Sequence, residues 1–201
     1  MNLSSFAATL VILLTALGCT QPQQANPAVP IGMPIQIDAP LGLPPVPIPS
    51  NNPPTAETVA LGRKLYYDPS LSVDGTIACA SCHHPDTGFA DGKPVSEGVD
   101  GQKGGRSAPS VFNAAYYTTQ FWDGRAAHLE AQAQGPVGNP IEMGNTLKGA
   151  VEKLSADASY RKDFEKAFGP GPITYEMVEK SIASFERTVL SGNSPFDRYF
   201  Y

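Results

Sequence analysis

An all-α domain with long loops is the fold class this sequence predicts, on three observations. Apolar residues recur at helical spacing in several separate stretches, threonines stand as caps ahead of two of them, and no run alternates apolar and polar residues as a half-buried strand does.

Taken in order, residues 2–18 (NLSSFAATLVILLTALG) hold no charged side chain, and Phe6 to Leu17 form an apolar stretch like the core of an export signal. It falls short of the roughly 20 apolar residues that a membrane span requires. Residues 1–18 are therefore read as a signal peptide. Cys19 follows Ala16-Leu17-Gly18, the pattern of a bacterial lipoprotein cleavage site. Acylated Cys19 would be a lipid anchor, and the alternative is an ordinary cleaved signal that contains a cysteine. Either way the expected location is periplasmic or exported. Residues 19–54 read as a proline-rich linker, because residues 22–54 hold 11 of the 20 prolines and a single charge, Asp38. Such a segment sustains neither a helical ladder nor a central strand, and is expected as an extended, semi-rigid tether.

Residues 55–201 form the working domain. Thr55 caps a helix over AETVALGRKLYYD whose apolar positions are Val59, Leu61 and Leu65. A loop region rich in Gly and Pro runs from Pro69 to about Pro109. Helices follow at 125–134, stopped by Gly135-Pro136, and at 146–156, 159–168 and 174–190. The last is the clearest, with Thr174 as its cap, an apolar stripe of Met177, Val178, Ile182, Phe185 and Val189, and Gly192 after its end. The domain carries 14 basic and 18 acidic side chains, a balance that argues against a nucleic-acid partner and leaves docking to a basic protein open.

The loop region contains Cys79-Ala80-Ser81-Cys82-His83. Two thiols three positions apart reach the two vinyl groups on one side of a porphyrin, and the next residue brings an imidazole under the iron. Cys79, Cys82 and His83 are thus predicted to hold one covalent haem c, with His83 as the iron ligand, in a cytochrome c-like haem domain. A structural zinc site would need four converging ligands, and the adjacent His83 and His84 are poorly placed to supply two. A redox dithiol would need a βαβ surround, which the pattern lacks. His84 reads as a surface residue.

Three stretches carry a wider similarity: LGRKLYYDPSLSVDGTIACASCHHPDTGFADG, RSAPSVFNAAYYTTQFWDGRAAHLEAQAQGPVGNPIEM and SIASFERTVLSGNSPFDRY. Together they resemble the N-terminal half of the bacterial dihaem cytochrome c peroxidases, over residues 56–201. That family includes the enzyme that matures the tryptophan-derived quinone of methylamine dehydrogenase. The resemblance implies that this half carries the peroxide-reducing haem, and that a second haem-bearing domain or subunit passes electrons in. It places Trp122 of FWDGRA on the electron path, and Gln132, Pro136 and Glu142 on the peroxide side. Glu142 suits the proton transfer that splitting an O–O bond requires, while Gln132 can orient only by hydrogen bonding. The plainer alternatives are a core Trp122, a solvated Gln132 and a helix-start charge at Glu142. His128 is expected to be exposed.

As written the sequence stops just after Ser194-Pro195-Phe196-Asp197-Arg198, where the family's second haem domain would begin, so one haem is expected, and it departs from the family at two further points. Val99 falls where some members place a removable histidine ligand, so an open iron position is expected unless Met143 or His128 moves in. Ser107 stands where the family often has an asparagine that helps hold calcium, so the resemblance gives calcium little support. The expected function is reduction of hydrogen peroxide with electrons from a small donor, a cytochrome c or a cupredoxin. The alternative is a monohaem electron-transfer cytochrome with no catalysis of its own.

Overall fold

The computed structural model describes residues 28–201; the signal-peptide reading of 1–18 and the acylation of Cys19 lie outside the described residues. Among the described residues there are seven α-helices: α1 (Ala56–Tyr67), α2 (Cys79–Cys82), α3 (Leu129–Gly138), α4 (Leu147–Ala156), α5 (Ala158–Phe168), α6 (Tyr175–Glu186) and α7 (Pro195–Phe200). Among the described residues the only β structure is isolated bridges, such as Pro34 with Thr55 and His84 with Ala90. The domain is all-α, with long loops around the site.

Helix α1 forms because Thr55 and Thr58 cap each other's backbone: Thr58 N–H donates to Thr55 Oγ1 at 3.2 Å, and Thr55 N–H to Thr58 Oγ1 at 2.9 Å. Its buried face is Thr58, Leu61, Gly62, Leu65 and Tyr66, with Val59 at the edge. That face lies on α6, and Gly62 sets the spacing, since a Cβ there would run into the Ser181 carbonyl oxygen. The core follows from this pairing. Leu61, Leu65, Val137, Leu154, Phe164, Val178 and Ile182 pack into one cluster, and Tyr66, Val111, Leu129, Phe185 and Val189 into a second beside it.

Two of the expected helices differ in their bounds, and α7 has no counterpart among those expected. The helix predicted at 125–134 instead runs from Leu129 to Gly138, through Gly135-Pro136. It starts late because the His128 ring caps it, accepting from Ala131 N–H at 3.2 Å. Pro136 falls near its end, where the donor it lacks costs one ladder bond rather than the whole helix. Helix α6 stops at Glu186, short of residue 190. Thr188 N–H and its hydroxyl both donate to the Phe185 carbonyl, at 2.8 and 2.7 Å, tightening the final turn. Gly192 is not a helix terminator but a point of close approach, where a Cβ would lie 2.9 Å from the Leu41 carbonyl oxygen.

Residues 28–54, expected as a tether, are extended, but they lie along the domain as a strap. Ile31 N–H donates to the Ala167 carbonyl and Asn193 N–H to the Leu41 carbonyl, at 2.9 and 2.8 Å. Lys180 Nζ donates to the Ala28 carbonyl at 2.6 Å, and Tyr116 Oη to the Pro44 carbonyl at 2.8 Å. Proline frees the segment from pairing with itself and leaves its carbonyls available to the helices.

Candidate functional site

The region between α2, α3, α6 and the 96–111 loop encloses a cavity of about 710 Å³, walled mainly by apolar groups. Helix α2 is one short turn, closed by His83 N–H donating to the Cys79 carbonyl at 3.0 Å, with Ser81 Oγ accepting from Ala78 N–H at 3.0 Å. It brings Cys79, Cys82 and His83 to the cavity together. Both thiols are free. Burial, with the Glu186 carboxyl next, pushes the Cys79 thiol up to about 12. Burial and Asp91 also raise Cys82.

His83 is set from behind. Its Nδ1 lies 3.1 Å from the Phe89 carbonyl oxygen, which only accepts, so Nδ1 carries the hydrogen and Nε2 keeps the lone pair. Burial lowers the imidazole, opposed by the Phe89 and Pro109 carbonyls. Phe89 reaches this place in a left-handed conformation, φ 55°, costly for an aromatic residue and held by its packing on Tyr66 and Phe112. His84 is an exposed surface residue, as expected.

The facing walls hold the residues singled out in the sequence. Trp122, Gln132, Pro136 and Glu142 all line the same cavity as the two cysteines and His83. Glu142 Oε1 accepts from Asn139 Nδ2 at 2.7 Å. Trp122 is 64% exposed, which rules out a core role, and its Nε1–H donates to the Ser107 carbonyl at 2.9 Å. Beside it Asp123 bridges Arg106 and Arg125, each at 2.9 Å, and their hydrogen bonds hold its carboxyl down at about 2. Arg125 also lies over the Phe121 ring, 3.5 Å from its centroid. Val99 is not among the lining residues; it is buried behind the wall with its N–H donated to the Glu142 carbonyl at 2.9 Å. Met143 does line the cavity. His128 is committed to capping α3.

Sequence reasoning missed two residues here. Phe89 gives no signal, because bulky side chains rarely take positive φ. Glu186 gives a readable one: it follows Val178 and Ile182 at four-residue steps on the face of α6 that turns inward. It is 6% exposed and lines the cavity.

This donor set fits a covalently attached haem. Two thiols three positions apart in the sequence, an imidazole with its Nε2 lone pair to offer and a largely apolar chamber within the range of cofactor pockets meet in one place. Among the described residues no three of His, Cys, Asp and Glu converge as a metal cluster.

Residues 56–201 match the family described as di-haem cytochrome c peroxidase. The chain is 44% identical over 154 residues to cytochrome c peroxidase Ccp of Escherichia coli, covering 76% of this chain and 33% of that protein. Over 155 residues it is 44% identical to the methylamine utilization protein MauG of Methylorubrum extorquens, covering 77% and 44%. Among solved structures, a MauG-like protein associated with microbial copper homeostasis superposes with a TM-score of 0.74 at 38% identity, over 81% of this chain and 49% of that one. The diheme peroxidase BthA of Burkholderia thailandensis shares the fold, with a TM-score of 0.60 at 24% identity. The chain spans about a third to a half of the length of these curated relatives. With its matched region, its identity to these relatives and its all-helical fold in agreement, the chain belongs to the di-haem cytochrome c peroxidase family.

Proposed function

We propose that this chain is the peroxide-binding haem domain of an exported c-type peroxidase, which reduces hydrogen peroxide with electrons from a small redox protein. The observation that carries the proposal is the single cavity joining Cys79, Cys82 and His83 to Gln132, Pro136 and Glu142. Cys79 and Cys82 would hold the haem by thioether bonds, and His83 Nε2 would bind its iron. When bound, the haem supplies the metal at which peroxide is reduced.

The protein's own groups do the rest. Glu142, oriented by Asn139, takes a proton from one peroxide oxygen and returns it to the other. Gln132 orients the peroxide by hydrogen bonding, and Pro136 contributes an apolar wall that excludes water. Trp122, exposed at the cavity, would receive the incoming electron from a second haem-bearing domain or subunit. The charge-free segment 2–18 and Cys19 support export, with acylation as the anchor.

Expression in a host competent in cytochrome c maturation tests this. The expected product is coloured, heavier than the polypeptide by one haem, high-spin in its oxidised spectrum, and weakly active until a haem-bearing electron donor is added. A colourless protein of bare polypeptide mass overturns the proposal. A low-spin spectrum with no peroxide turnover, even with donor present, makes it an electron carrier.

A further inference from the structure

Glu186 is the one cavity residue that the proposed reaction leaves unused and the fold leaves unsatisfied. It ends α6, is 6% exposed, lines the cavity, and its Oε2 has no hydrogen-bond partner. A carboxyl removed from water without a partner is costly, and far more so when ionised.

The groups around it do not neutralise it. The neighbouring cation, Arg187, is engaged by Glu130 of α3, with Nη1 to Oε1 at 2.8 Å and Nη2 to Oε2 at 3.2 Å. Glu130 itself adds a like charge. From α1 the facing group is Tyr66 and from α2 it is Cys79, both uncharged and both pushed up, chiefly by burial and next by Glu186. Burial raises the Glu186 carboxyl to about 8; the Arg187 charge opposes this without reversing it, and the Glu130 charge adds to it.

We infer that Glu186 is the proton acceptor that accompanies one-electron reduction of the haem in this cavity. The inference rests on the haem attachment proposed above. The electron comes from a one-electron donor and the proton from solvent; the bond formed is O–H on Glu186, and none is broken within the protein. The sign follows from charge. Oxidised haem iron carries one more positive charge than reduced iron, so oxidation favours the carboxylate and reduction favours the neutral acid. Electron and proton uptake then reinforce each other, and the haem becomes easier to reduce as pH falls.

Potentiometric titration of the purified haem-loaded protein from about pH 5 to about pH 10 tests this, with Glu186→Gln as the variant. One proton per electron means a tenfold change in the reduction equilibrium per pH unit, about 59 mV for a one-electron couple. The wild type is expected to approach that slope over part of the range, and E186Q to be flat there. A slope retained in E186Q, which would belong to other groups such as the haem propionates, overturns the inference. So does a flat wild type. If E186Q does not load haem, reduced-minus-oxidised infrared difference spectra of the wild type, with isotope-labelled glutamate, decide the matter. A label-sensitive protonated-carboxyl band on reduction supports the inference, and its absence overturns it. A colourless wild type overturns the haem attachment itself, whereas a coloured wild type with either negative result overturns only the role of Glu186.

Discussion

At the cavity wall Glu142 is held by one hydrogen bond, from Asn139 at 2.7 Å. That contact orients a carboxyl without filling its second oxygen, the arrangement a proton shuttle requires. Glu142→Gln keeps the size and the contact and loses the proton. Peroxide turnover is expected to fall by about 10²- to 10⁴-fold with an unchanged haem spectrum, as steady-state assay and absorption on the same sample will report. Two buried carboxyls, Glu130 beside the cavity and Glu186 lining it, behave oppositely toward pH. Burial presses Glu130 upward, but Arg187 and Asn52 outweigh it and leave it below the usual carboxylate range. Its stabilisation is present above the ordinary carboxylate pKa and lost as pH falls through the lowered one. Glu186 is raised to about 8, so its stabilising share is present below the ordinary value and lost as pH rises through about 8. Urea midpoints against pH are expected to fall at both ends, with E186Q flattening the alkaline limb. Glu130→Gln strands a buried guanidinium and is expected to cost about 3–5 kcal/mol at neutral pH. These residues were legible to different degrees. The C-x-x-C-H spacing announces Cys79, Cys82 and His83 by itself, because attachment chemistry fixes it. Glu142, Gln132 and Trp122 stand out only through the family resemblance, since nothing local separates them from surface residues. Glu186 stands in register with Val178 and Ile182 on the inward face of α6, a signal that is easily passed over because a glutamate at a helix end ordinarily faces water.

At the level of elements, the helix starts that a threonine caps were the easiest to read. Thr55 and Thr174 cap the helices they precede, because a cap is a local hydrogen bond written into a few adjacent residues. The bounds of α3 and the end of α6 were harder, α3 starting at Leu129 rather than at 125. Gly135 lies under the Phe121 ring, where a Cβ would come within 2.8 Å, and Thr188 folds back on Phe185. The α1–α6 contact is the element on which the cavity depends, since α6 carries Glu186 and α1 carries Tyr66, whose hydroxyl donates to the His83 carbonyl at 3.2 Å. Gly62→Ala drives a methyl into the Ser181 carbonyl, and rigid backbone must yield. The expected cost is about 1–3 kcal/mol, read as a lower denaturation midpoint. Gly98 plays the same part under the Ile141 and Glu142 backbone. Gly98→Ala is expected to lower peroxide turnover by displacing Glu142, while haem attachment at α2 is retained. Loss of haem from this variant would mean that the two walls are not independent.

Across the whole molecule, the helical class and the order of the helices were legible because periodicity is local, whereas the position of residues 28–54 was not. Their proline content predicts an extended chain and says nothing about what the chain lies against. The strap is bonded to buried polar groups that helices α3 and α6 leave over. Asn52, fully buried, donates to Glu130 Oε1 at 2.7 Å and to the Lys180 carbonyl at 3.1 Å, and Lys180 Nζ reaches the Ala28 carbonyl. The chain thus ties its proline-rich segment to the same Glu130–Arg187 pair that sits beside the cavity. Asn52→Ala removes both of these hydrogen bonds and the one that Asn52 Oδ1 accepts from Ser184 Oγ at 3.5 Å, at a site closed to water, so a loss of about 1–3 kcal/mol is expected. A tether hanging free of the domain would predict no change. The two cases separate on a denaturation curve of the haem-loaded protein. Limited proteolysis gives a second reading, because a bound strap resists cleavage between residues 28 and 54 in the wild type and should become cleavable in N52A. If N52A unfolds at the wild-type midpoint and is cut no faster, the strap contributes nothing to the fold, and the charge pair beneath it is held by α3 and α6 alone.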